Sequence, residues 1–282
     1  FITIANSSNR LAYTNDGGAT WTSRTMPLST SWYDVIYANG VVIATRDNSA
    51  IVYRSTDGGL NWTTSTMSYG AANYDITYGD GTHMTITSAD YVFTCTDSGA
   101  TWTPRALTAC GNWRKIKFGG GAFVALCRSN SQGAYSTDGG VNWNYITLPA
   151  NGTWYEVAYG NGTFVAVRNN SYAIRSTNGG QSWASSSALP SGGPWSSVAF
   201  GNNVFIAVAY GSNQAARSTN NGQTWTLSTL PSTSNWHSIG YSSGVWMAVT
   251  SASTAAVSTD DGLTWSTINM PASADWYAVD SM

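Results

Sequence analysis

Short apolar stretches alternate with polar turns along the whole chain, and no segment offers a helical period of useful length. One stretch shows the pattern clearly. WYEVAYG (154–160), TFVAVR (163–168) and AIRST (173–177) are rich in aromatic and β-branched residues, divided by a Gly turn and the polar loop NNSY. WASSSALP (183–190) then completes a set of four predicted strands. Second strands of the same kind recur at VVIAT (41–45), HMTIT (83–87), AFVALC (122–127), VFIAVA (204–209) and VWMAVT (245–250).

Between the third and fourth strands sits an eight-residue phrase that occurs seven times. Its copies are TNDGGATW (14–21), STDGGLNW (55–62), CTDSGATW (95–102), STDGGVNW (136–143), STNGGQSW (176–183), STNNGQTW (218–225) and STDDGLTW (258–265). The acidic or amide position falls at Asp16, Asp57, Asp97, Asp138, Asn178, Asn220 and Asp260, in steps of 41, 40, 41, 40, 42 and 40 residues. A fixed period of this size is the mark of a repeat architecture. Asp or Asn followed by Gly is turn chemistry, because the side chain caps its own backbone and Gly supplies positive φ. The closing tryptophan (Trp21, Trp62, Trp102, Trp143, Trp183, Trp225 or Trp265) returns a large apolar surface to the sheet. A calcium loop needs acids at alternate positions and a Glu twelve along, whereas Glu156 is the chain's single Glu and Asn stands at 178 and 220. The phrase is therefore read as a structural turn.

The phrase resembles the Asp-box (BNR) repeat of sialidases and related propellers, S-x-D-x-G-x-x-W, and the resemblance covers all seven repeats. It implies that each box is the turn between the third and fourth strands of a blade. Together with the period it predicts an all-β protein: residues 1–282 as one seven-bladed β-propeller of four-stranded antiparallel blades. The ends support closure of a ring. FITIAN at the start aligns with the second strands, and DWYAVDSM (275–282) aligns with the first. One blade is thus expected from both termini, residues 1–27 and 275–282, which leaves no open inner edge.

A second signal precedes the first strand of each unit: Trp32, Trp113, Trp154, Trp195, Trp236 and Trp276, with Asn73 in the remaining repeat. Each follows a polar connector such as PLSTS (27–31), PSGGP (190–194) or PSTSN (231–235). In propellers these connectors open on the channel face, opposite the boxes. Two readings of the six tryptophans stand side by side: packing between blades, as their repetition suggests, or flat platforms for the CH faces of sugars. The residues that follow (Tyr33, Tyr74, Arg114, Tyr155, Ser196, His237 and Tyr277) vary more and are the better candidates for ligand contact. Arg46, Arg128 and Arg168 share a place at the ends of second strands, as solvated loop residues or as a grip on an anion.

Catalysis finds little support. The sialidase resemblance implies an arginine triad, a Tyr–Glu nucleophile pair and an Arg-Ile-Pro motif, and the last is absent here. Xyloglucanases with Asp boxes pair two propellers around two catalytic carboxylates. Asp34, Asp75 and Glu156 share one repeat position and Asp47 and Asp90 lie in loops, so a carboxylate pair across the channel stays open. His83 and His237 are isolated, no metal motif occurs, and neither metal nor cofactor is expected. Three cysteines leave at least one unpaired; Cys95 replaces the box serine and Cys127 lies in an apolar strand, both as small buried residues.

Composition narrows the partners. Charged residues are 9% and net charge is −2, so no basic stripe for nucleic acid is present. No run of apolar residues is long enough to span a membrane. Beginning with Phe, the chain reads as a module of a longer, oligomeric product on a virion or outside the cell. The leading expectation is a non-enzymatic domain that binds surface glycan or glycoprotein, similar to phage tail-fibre heads or secreted adhesins. The alternatives are an Asp-box glycoside hydrolase and a protein-binding assembly scaffold.

Overall fold

The computed structural model describes residues 1–108, 110–190 and 193–281. Ser191 and Gly192 of the connector PSGGP, and Met282 of the closing segment, lie outside the described residues. Among the described residues every regular element is a β-strand. The unit read from the sequence appears as strands Trp154–Gly160, Thr163–Arg168, Ala173–Ser176 and Ala184–Ser185, hydrogen-bonded in that order. The last is shorter than expected: Ser187 N–H turns to the carbonyl of Gln223 in the next unit's box instead of extending the ladder. First and second strands are joined by two-residue hairpins with positive φ at both positions, as at Asn161 (47°) and Gly162 (71°). That is the turn whose twist matches the strands it joins.

The boxes are turns held by their own side chains. Ser55 Oγ donates to Asp57 Oδ1 at 2.8 Å and accepts from Gly59 N–H at 2.8 Å. Asp57 Oδ1 also accepts from the N–H of Asn61 at 2.9 Å, and Asn61 Nδ2 closes the turn onto Oδ2 at 2.8 Å. Asn178 and Asn220 make the same Oδ1 contacts, to Ser182 N–H and Thr224 N–H. Cys95 takes the serine's place, its thiol donating to Asp97 Oδ1 at 3.0 Å and accepting from Gly99 N–H at 2.9 Å. These bonds favour the carboxylate, so hydrogen bonding holds Asp57 and Asp260 down at about 2 and lowers Asp16, Asp97 and Asp138 as well.

The ring is closed by both ends of the chain. Strand Asp275–Asp280 is innermost, followed outward by Ile2–Asn6, Ser8–Tyr13 and Thr22–Thr30. The blade count differs from expectation. Among the described residues the strands form six hydrogen-bonded sheets, five of four strands and one of six, so the propeller has six blades by continuous sheet and the expected seven is corrected. The reason lies in residues 195–269. There the loop around Gly211 and the connector PSTSN are extended and pair with each other, Tyr210 opposite Asn235 and Ser212 opposite Ser234. Val204–Ser218 and Thr226–Ser242 consequently run unbroken, and the sixth and seventh repeats share one six-stranded sheet. Side-chain packing keeps the sequence period: seven buried apolar clusters are found among the described residues.

Close contact between neighbouring units sets which residues the inner strands tolerate. At Gly160 an added Cβ would lie 2.0 Å from Phe200 of the next unit, and at Gly119 2.0 Å from Tyr159. Cys127 is not simply a small buried residue: it forms a disulfide with Cys110, tying a connector to a second strand, while Cys95 stays free and buried.

Candidate functional site at the channel mouth

Every inner strand begins with the same irregularity. Trp32 pairs with Arg46 and Asp34 with Thr45, which leaves Tyr33 between them without a partner. The same shift occurs between Asn73 and Asp75, Trp113 and Lys115, Trp154 and Glu156, Trp195 and Ser197, and Trp236 and Ser238. In the closing sheet Trp276 and Ala278 pair with consecutive residues, leaving Tyr277 out. A bulge turns an alternating strand so that neighbouring side chains can share a face. Its result is visible at the channel: Tyr33, Tyr74, Arg114, Tyr155, Ser196, His237 and Tyr277 all line one cavity of about 350 Å³. Asp34, Lys115, Glu156 and Ser238, each one residue further on, line it too, and Tyr210 joins from strand Val204–Ser218.

The tryptophans take the other role. Trp32, Trp113, Trp154, Trp195, Trp236 and Trp276 are at most 1% exposed, and Asn73 in their place is fully buried. None has a face to offer a ligand, so the platform reading of these six is corrected. They serve as packing: Trp32 and Trp195 each belong to an apolar cluster built from neighbouring units. Asn73 keeps the position by donating to the carbonyls of Ser49 and Ala71.

Arg46, Arg128 and Arg168 do not come together at the cavity, and none lines it. Arg46 and Arg168 end strands of two different sheets, and Arg128 directly follows strand Ala122–Cys127 of a third. Arg46 covers the Tyr53 ring at 6.0 Å and Arg168 the Tyr172 ring at 4.4 Å, with Arg168 bonded to the carbonyl of Asn151. The cation at the mouth is instead Arg114, stacked 4.1 Å from the Tyr74 ring and 5.6 Å from Tyr33.

The floor is charged and internally occupied. Lys115 Nζ stands 2.9 Å from Glu156 Oε2 and 3.6 Å from Asp75 Oδ1. Asp34 and Asp75 are neighbours, and each acts on the other's titration. Their second oxygens cap the exposed edges of the next inner strands, Asp34 Oδ2 accepting from Ile76 N–H at 3.1 Å and Asp75 Oδ2 from Ile116 N–H at 2.8 Å. Ser197 and Ser238 do the same for Ile239 and Val279. Burial pushes Asp75 up to about 8, with the neighbouring Asp34 adding to it against the pull of Lys115. Burial likewise raises Asp34 and Glu156. For Lys115 burial acts downward, but Asp75, Glu156 and Asp34 outweigh it and keep the ammonium charged.

These contacts limit the chemistry. Asp34 and Asp75 each spend an oxygen on a backbone N–H of the next inner strand, and Asp75 and Glu156 are paired with Lys115, so these carboxyl groups are engaged by the fold. His237 Nε2 meets both Asp275 Oδ1, at 2.9 Å, and Ser251 Oγ, at 2.6 Å. A Ser-His-Asp relay needs those partners on opposite ring nitrogens, so the cluster is not arranged as one. His83 is buried against Tyr78 and burial pushes it down to about 4, in keeping with a structural role. Asp90 accepts from Gly111 N–H, and neither it nor Asp47 lines the cavity. Among the described residues no group of His, Cys, Asp and Glu is arranged to hold a metal.

Sequence reading missed Tyr210, which is 42% exposed and packs edge-on to His237 at 5.4 Å. It sits in the loop that became part of a continuous strand, and no repeated signal marks it.

No family model matches the sequence, and no curated protein matches it. Solved structures do. The chain is similar to YCF48 bound to D1 peptide, at 17% identity and a TM-score of 0.68, over 93% of this chain and 86% of that one. It is similar to virginiamycin B lyase from Staphylococcus aureus, at 16% identity and a TM-score of 0.78, over 89% and 88% of the two chains. YCF48 from Cyanidioschyzon merolae matches at 14% identity with a TM-score of 0.71, over 92% and 90%. Such likeness shows a shared β-propeller fold.

Proposed function

We propose that the channel mouth is a non-catalytic recognition site for carbohydrate, carried on a surface glycan or glycoprotein and met on a virion or outside the cell. The observation that carries this reading is the ring of bulged residues. Four of the seven are tyrosines, one is histidine, and all converge on one cavity of about 350 Å³. Tyrosine offers an apolar face for the CH side of a pyranose and a hydroxyl for its oxygens. Charge supports a neutral ligand. The charges are met within the site: Lys115 is paired with Glu156 and Asp75, and Arg114 is stacked on Tyr74 and Tyr33. The box face, opposite, presents turns whose polar atoms are already spent on each other.

The test is a panel of immobilised glycans probed with the native protein and with Tyr155→Ala and Arg114→Ala. The reading expects saturable binding without release of sugar, weakened in both variants at unchanged thermal stability. Release of a sugar product would point to a hydrolase. Absence of glycan binding together with capture of a peptide at the same face would transfer the site to a protein partner, the third alternative.

A further inference from the structure

The channel-mouth face carries a second aromatic feature, outside the cavity. Tyr69 is 51% exposed and its ring lies nearly parallel to that of Tyr91, with centroids 5.1 Å apart and planes 22° apart. Tyr91 opens a strand of the neighbouring sheet, directly after the loop between its second and third strands. Tyr69 belongs to strand Thr63–Ala71, in the part where pairing jumps from Ile51–Thr66 to Ser49–Ala71. That jump leaves residues 67–70 without register partners opposite Ala50: Met67 stays buried, residues 68–70 are exposed, and Gly70 sits against the Ala50 backbone nitrogen. The irregular pairing thus sets Tyr69 on Tyr91, which is itself half-buried against an apolar cluster that includes Phe93. Phe93, fully buried, lies 6.5 Å from the Tyr69 ring and anchors the arrangement from below. With Tyr91 stacked on it, Tyr69 still keeps 51% of its surface open to solvent.

The position relative to the cavity is bounded by the chain itself. Tyr74, which lines the cavity, follows Tyr69 by five residues. Five extended residues reach at most about 18 Å. The two aromatic features therefore lie within the span of a short oligosaccharide on one face of the ring.

We propose that the Tyr69–Tyr91 stack is an outer subsite that receives an apolar sugar face from a chain whose terminal unit occupies the cavity. The inference rests on the carbohydrate reading of the channel mouth. It adds that the ligand is an extended glycan bound along the face rather than a single terminal sugar. A stacked pair suits this role: the half-buried partner Tyr91 supports the outer ring, so less side-chain freedom is lost on binding, and a parallel ring has a flat surface to offer. The two subsites together raise affinity because the second contact is intramolecular once the first is made.

The experiment is a glycan panel that presents each oligosaccharide beside its own terminal monosaccharide, with affinities measured for native protein, Tyr69→Ala, Tyr69→Phe and Tyr74→Ala. The proposal expects native protein to bind the longer chain more tightly than the monosaccharide. It expects Tyr69→Ala to lose that advantage, up to roughly tenfold, while its affinity for the monosaccharide holds. Tyr69→Phe keeps the ring and should bind as the native protein does, whereas Tyr74→Ala should weaken long and short ligands alike. Equal loss on both ligands in Tyr69→Ala, or no loss on either, overturns the subsite and leaves the cavity reading in place. No binding of any glycan by the native protein overturns both.

Discussion

At the scale of single residues, position within the repeat decides what each side chain does. The residue before each bulge is buried and the residue on it is presented to the channel, so Trp154 and Tyr155, adjacent in sequence, have opposite fates. Trp154→Ala should therefore act on stability, by roughly 3–5 kcal/mol for a buried tryptophan, and Tyr155→Ala on binding; parallel thermal melts and binding curves separate the two. The box shows the same economy of position. Cys95 performs the hydrogen bonds that serine performs in five other copies, so Cys95→Ser should keep or raise the melting temperature. A fall of several degrees would show that the larger sulfur is needed for packing. Gly160 admits no side chain, since a Cβ would meet Phe200 at 2.0 Å, and Gly160→Ala should cost roughly 1–3 kcal/mol by overpacking. Gly240, also in an inner strand, has its nearest neighbour at 3.6 Å and no positive φ, so Gly240→Ala should cost nothing measurable in the same denaturation assay.

At the scale of elements, the inner strand is the unit that makes the site. Its bulge puts two consecutive side chains on the channel side, one toward the mouth and one toward the next strand's free N–H groups. This explains why Asp34 and Asp75, attractive as catalytic carboxylates in sequence, work as edge caps. The disulfide belongs to this scale as well. Cys110 lies in the connector just before the strand Trp113–Gly119, and its bond to Cys127 fixes where that strand enters the channel. With 17 residues of separation, replacing both cysteines by serine should cost about 3 kcal/mol in the loop-closure description. Urea titrations with and without a thiol reductant would measure it; identical midpoints would rule the constraint out.

At the scale of the whole molecule, two sets of carboxyl groups pull the pH dependence in opposite directions. The box aspartates have native pKa values below the ordinary carboxylate range because hydrogen bonds favour their charged form. Their contribution is present above about pH 4 and is lost as pH falls toward about 2. Asp75, Asp34, Glu156 and Asp280 are raised by burial, so their contribution is complete below the ordinary range and fades as pH rises, for Asp75 through about 8. Thermal stability should accordingly peak in mildly acidic solution and fall on both sides. Asp75→Asn, which retains the acceptor for Ile116, should flatten the alkaline limb, and Asp57→Asn the acidic one; an unchanged profile in either variant would show that the group does not titrate as described.

The repeat, the strands and the box turns were legible in the sequence because they are local. Turn chemistry and two-residue alternation act within a few residues, and the forty-residue period shows in the spacing of Asp16 through Asp260. The observed strands Trp154–Gly160 and Thr163–Arg168 coincide with the segments their patterns predict. The pairing of both termini was legible too, since FITIAN and DWYAVDSM each resemble one strand of a complete unit. What alternation does not encode is where it breaks. A bulge adds one residue to a strand without a composition signal, so the exchange of roles between Trp32 and Tyr33 needed the register itself. Blade count by continuous sheet depended on whether Tyr210 and Asn235 pair across two loops, a contact between segments 25 residues apart. The site is a ring of side chains drawn from seven repeats. Its members are legible one at a time in the sequence, and only closure of the propeller makes them neighbours.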